Sequence, residues 1–168
     1  MKMPFSDEGR EEVVALLGTA LIAVQNVELM IAKVLQYVLP EEHGTAPAED
    51  IAAKLSKKTM GALIQALKKR ADIDEGLVAA LDDFLDRRNI LAHRLRDIAG
   101  PKYERFDKLG TFAYELTVQA SSIAPVFTDL LFTFSQNAGI QTSVDDLVRK
   151  SIGSGMLGQA GRFIKPKA

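Results

Sequence analysis

Cysteine is missing from all 168 residues, which excludes disulfide scaffolds, cysteine-ligated zinc, iron–sulfur clusters and thiol nucleophiles. Histidine is scarce, with two in the chain, so a dedicated zinc site is not expected, and no cofactor motif takes its place. The segment Gly153-Ser154-Gly155-Met156-Leu157-Gly158 is rich in glycine. It lacks both the preceding strand and the Lys-Ser/Thr of a phosphate-binding loop. No unbroken hydrophobic run reaches membrane-spanning length: Gln25, Asn26, Glu28 and Lys33 interrupt the longest apolar segment. A soluble chain without a membrane partner is therefore expected. Residues Met1 to Glu8 carry no apolar stretch of the signal-peptide kind, and with cysteine absent a cytoplasmic location is expected. Strand-like alternation and internal repeats are also missing. Charge of one sign does not dominate, because the net charge is -1.

That near-neutral total hides an uneven distribution. Residues 1–53 carry -6, residues 54–108 carry +4, residues 109–149 carry -3, and residues 150–168 carry +4. The basic middle and tail can meet phosphate, although basic helix faces are more often ordinary solvated surface.

Helical periodicity fills most of the chain. Val13, Leu17, Ala20, Val24, Val27, Ile31, Val34 and Val38 recur at steps of four and three, predicting a long helix from about Asp7 to Leu39, stopped by Pro40. A loop over 41–48 and a short helix over 48–55 follow. A helix over 59–70 is expected next, capped by Thr59 and ending in Lys68-Lys69-Arg70. Leu77, Leu81, Phe84, Leu85, Leu91 and Leu95 mark a helix over 74–97, ended by Gly100-Pro101. Phe112, Leu116, Ala120, Ile123, Phe127, Leu130 and Phe134 mark a last long helix over 106–137, with Pro125 expected to kink it. A short helix is expected over 142–151. The expected fold is all-α: an up-and-down bundle of about four main helices with short extra helices. One helical domain covers residues 1–152, and a flexible basic tail covers 153–168.

Chemistry concentrates in one stretch, Arg88-Asn89-Ile90-Leu91-Ala92-His93, inside the helix over 74–97. On an ideal helix Arg88 falls on the apolar stripe of Leu77, Leu81 and Phe84 and needs a partner, for which Glu28 and Asp86 are the first candidates. Arg87 faces elsewhere and is expected in solvent. Asn89 and His93 share a polar face with Asp82, Asp86 and Arg96. Arg88 and His93 stand about 140° apart, so one helix cannot aim both at one phosphate.

The pattern R-N-x-x-x-H in an all-helical chain resembles the HEPN superfamily of small helical bundles, over about residues 7–137. The resemblance implies a homodimer whose motif residues meet in a cleft between protomers. It also implies, for many members, metal-independent RNA cleavage in toxin or defence roles, with an antitoxin protein as partner of the toxins. Members partnered by a minimal nucleotidyltransferase carry Tyr two residues after the His, where this chain has Leu95. Carried onto these positions, His93 becomes the general acid/base, Arg88 the phosphate clamp and Asn89 an orienting hydrogen-bonder. Arg94, Arg96, Lys68, Lys69 and Arg70 are the expected RNA-binding cations, and Glu28 the structural ion-pair partner of Arg88. The alternative is a non-catalytic HEPN-like module for dimerisation or partner binding. His43 is read as a solvent-exposed loop residue.

Overall fold

A computed structural model describes residues 7–40, 50, 53–55, 57–138 and 163–166. Helix α1 spans Asp7–Lys33 and runs on into a π-helical turn over Val34–Val38. Helix α2 spans Met60–Arg70, α3 Glu75–His93, α4 Leu95–Ala99 and α5 Phe106–Asn137. Short strands β1, Ala71–Ile73, and β2, Ile164–Pro166, form an antiparallel pair. The architecture is an all-α helical bundle with this one minor sheet among the described residues.

The two long helices α1 and α5 form the spine. Val24, Val27 and Ile31 of α1 and Leu35 of the π turn join Leu116, Ala120, Ile123 and Phe127 of α5, all buried in one core. Ile64 and Leu67 of α2 and Leu81 and Phe84 of α3 close that core from the other side. This is the packing that apolar stripes at helical spacing require. Helix α5 keeps the predicted bounds and stays helical through Pro125.

Helix ends follow from identifiable caps. Thr59 Oγ1 accepts from the backbone N–H of Ala62 at 3.3 Å, and Asp74 Oδ1 accepts from Gly76 at 2.9 Å and Leu77 at 3.2 Å; both satisfy first-turn donors. At the far end of α1, Leu39 N–H reaches Val34 O at 2.9 Å, closing the π turn before Pro40. There Arg70 Nη1 donates to the carbonyls of Leu39, at 2.9 Å, and Leu35, at 3.3 Å.

Three expectations need correction. The helix over 74–97 breaks at Arg94 (φ -134°, ψ 29°), and α4 then turns Leu95, Ile98 and Ala99 onto Val13 and Leu109 in a second small core. A strand exists although none was expected, because three residues are too few for alternation to register. Residues 164–166, assigned to a flexible tail, pair with β1 in the register Asp72↔Lys165, and Ile164 is 3% exposed. The expected loop over 41–48 and helix over 142–151 lie outside the described residues, as does half of the helix over 48–55, of which residues 50 and 53–55 are helical.

The turn after α4 depends on glycine. Gly100 has φ 81° and ψ 165°, a region essentially closed to other residues. A Cβ there would come within 2.5 Å of the Glu104 carboxylate. That carboxyl folds back on the turn. Its own backbone N–H, and then those of Lys102 and the charges of Arg105 and Lys102, hold it below the usual carboxylate range.

Candidate active site on the third helix

Asp74 starts α3, and Leu77, Leu81 and Phe84 turn its inner face into the core. Arg88 follows Phe84 by four residues and so continues the buried stripe. Its Nε donates to Glu28 Oε1 of α1 at 3.0 Å, with the two side chains 25% and 24% exposed. Of the two intrachain carboxylates expected for Arg88, Glu28 makes the contact. The bond occupies Nε and leaves the terminal amino groups of the guanidinium for another acceptor.

Arg87 is not simply solvated, contrary to expectation. Its Nε donates to Asp83 Oδ2 at 3.0 Å and its Nη1 to Glu115 Oε2 of α5 at 3.1 Å. Gln119 joins this network, donating to Asp83 Oδ2 at 2.8 Å, while its own Oε1 is buried without a partner among the described residues. Asp83 and Arg87 are an i,i+4 pair, a signal visible in the sequence; Glu115 needed the fold to bring α5 alongside.

Asn89 is partly buried, and His93 is exposed in the last turn of α3, as are Asp82 and Asp86 on the same polar face. No hydrogen bond of the Asn89 or His93 side chain occurs among the described residues. Arg88 points at α1 while His93 stands in solvent, five residues on. The divergence of about 140° set by helix geometry therefore persists in a single chain.

Three of the five expected RNA-binding cations have acceptors within the protein. Lys68 Nζ is bonded to both carboxylate oxygens of Asp82 on α3, at 2.6 and 2.9 Å. Arg70 caps the end of α1, as above. Arg96 donates to the Pro101 carbonyl at 3.2 Å. Lys69 and Arg94 are exposed on different elements, Arg94 at the break after His93. His43 lies outside the described residues.

A groove of about 330 Å³ runs between α1 and α2, bordered by Gln25, Glu28, Leu29, Lys33, Lys58 and Leu63 among others. Glu28, whose carboxylate holds Arg88, is part of its wall. Among the described residues no three His, Asp or Glu side chains gather as a metal-ligand set. Comparison with protein-family models, curated proteins and solved structures gave no match. The functional reading consequently rests on the residues themselves.

Proposed function

We propose that this chain is a metal-independent endoribonuclease of the HEPN type, acting as a homodimer in the cytoplasm on single-stranded RNA. The observation that carries the proposal is the pairing of a half-buried, pre-oriented Arg88 with an exposed His93 at the end of the same helix. Glu28 fixes the guanidinium through Nε, and its terminal amino groups can grip two phosphate oxygens. In the reaction the 2′-oxygen bonds to phosphorus and the bond to the 5′-oxygen breaks. Imidazole exchanges the protons these two oxygens lose and gain, and the products are a 2′,3′-cyclic phosphate and a 5′-hydroxyl. Asn89 orients the site. If the protein is a toxin, its partner is an antitoxin protein.

The alternative, a non-catalytic module of the same fold, draws support from the engagement of Lys68, Arg70 and Arg96 within the protein, which leaves less cationic surface for RNA. An RNA cleavage assay separates the two. Wild type should cut RNA with EDTA present and leave DNA of the same sequence intact, and His93→Ala should be inactive while binding RNA. Cleavage that survives His93→Ala, or that EDTA abolishes, rejects the mechanism. A wild type that cuts no RNA leaves the non-catalytic reading.

A further inference from the structure

Helix α1 is apolar on both sides. Its inner stripe, Val13, Ala20, Val24 and Val27, is buried in the bundle. Its outer side carries Val14, Leu21, Ile22 and Leu29, each between 47% and 61% exposed. By length and composition Gly9–Val38 would suffice to cross a membrane, yet only 22% of its most apolar window is buried in the fold. A helix that is hydrophobic all round is ordinarily covered all round.

The outer residues have an order suited to another helix. Ala15, Gly18, Ile22, Gln25 and Leu29 follow one another at steps of three, four, three and four, and all are exposed. This is a heptad seam. Gly18 sits mid-seam with no atom within 4 Å of where its Cβ would be, an open notch. Gln25 and Asn26 are amides that another helix can satisfy and that hydrocarbon cannot.

Charge selects the orientation. Glu11 and Glu12 are exposed at the N-terminal end of the seam. At its C-terminal end Lys33 and Lys58 border the groove beside Leu29. Between them α1 carries one charge, Glu28, which is bound to Arg88. A second α1 laid antiparallel brings its acidic end to the lysines, whereas a parallel one stacks acid on acid.

We propose that the outer face of α1 docks the same face of a second copy of this chain. The helices run antiparallel about a two-fold axis near residue 20, so that Ile22 of each fills the notch at Gly18 of the other. Leu21 stands two turns before Glu28 on the edge of the seam. Leu29 of the seam lines the same groove as Glu28, so the ends of the interface adjoin the Glu28–Arg88 pair. The inference rests on the homodimer of the proposed function and names its interface, but it does not depend on RNA cleavage.

Light scattering and cysteine cross-linking test it. Wild type should be a dimer at micromolar concentration. Ile22→Glu should be a monomer with an unchanged circular dichroism spectrum, since Ile22 touches no core. Val118→Glu, on exposed α5 surface, should remain a dimer. The chain has no cysteine of its own, so single cysteines report cleanly. Ile22→Cys copies lie about 6 Å apart along the axis and should cross-link through a short bismaleimide. Leu29→Cys copies lie about 27 Å apart and should not. A monomeric wild type, a dimer that survives Ile22→Glu, or cross-linking through Leu29→Cys overturns the proposal. Sedimentation of a monomeric wild type with phosphatidylcholine vesicles would also overturn it and assign the face to lipid. A wild-type dimer of this geometry that cuts no RNA keeps the interface and removes the ribonuclease reading.

Discussion

Two adjacent arginines show how position decides the value of a charge. Arg88 and Glu28 bridge α3 and α1 with about three-quarters of each side chain covered. Removing Arg88 leaves the Glu28 carboxylate half-buried and unpaired, at a cost of about 1–3 kcal/mol. Arg87 has two acidic partners, but these are 56% and 54% exposed, and such pairs contribute about 0–1 kcal/mol. Arg88→Ala should accordingly lower the urea midpoint clearly more than Arg87→Ala does. Equal losses would mean that the Glu28 contact contributes no more than a surface pair. The pairing of Arg88 was legible because a guanidinium on an apolar stripe demands a carboxylate. The second partner of Arg87 was not, because Glu115 lies on another helix whose rotation only packing sets.

At the scale of elements, periodicity located the long helices to within a few residues, since each buries a stripe many turns long. It failed where an element is short or where a helix ends for the benefit of distant residues. The break at Arg94 is such a place: the stripe through Leu91 and Leu95 reads as continuous, but Leu95 and Ile98 belong to a second core built with Val13 and Leu109. The β1–β2 pair is another. Ile164 enters the main core although its strand has three residues. Ile164→Ala should cost about 2–4 kcal/mol, within the range of buried Ile to Ala changes. It should also speed amide exchange at Asp74, whose N–H is bonded to Phe163 O at 2.8 Å. A substitution without effect on the melt would show that β2 does not hold the fold together.

At the scale of the whole molecule, the proposed site is incomplete in one chain, and a symmetric dimer can complete it twice. If each site joins Arg88 of one copy to His93 of the other, two inactive variants should complement. Co-expressed Arg88→Gln and His93→Ala chains form heterodimers in which one site carries both defects and the other carries none. Partial RNA cleavage should therefore return in the mixture and be absent from either variant alone. No recovery, with heterodimers present by mass spectrometry, would place both residues of a site in the same chain.

The all-α class, the bounds of α5, the cap at Thr59 and the need of Arg88 for a partner could be read from the residues alone. Each is a local or single-helix property, governed by the 3.6-residue repeat and by donors and acceptors a few positions apart. Packing between elements set the acceptors of Lys68, Arg70 and Arg96 within the protein, the stop of α3 at His93 and the return of residue 164 to the core. The stripe from Val13 to Val34 was marked by its spacing and is the one the bundle buries, but packing decided that Val14 and Leu21 beside it stay exposed, because helical periodicity gives a stripe its direction and not its width.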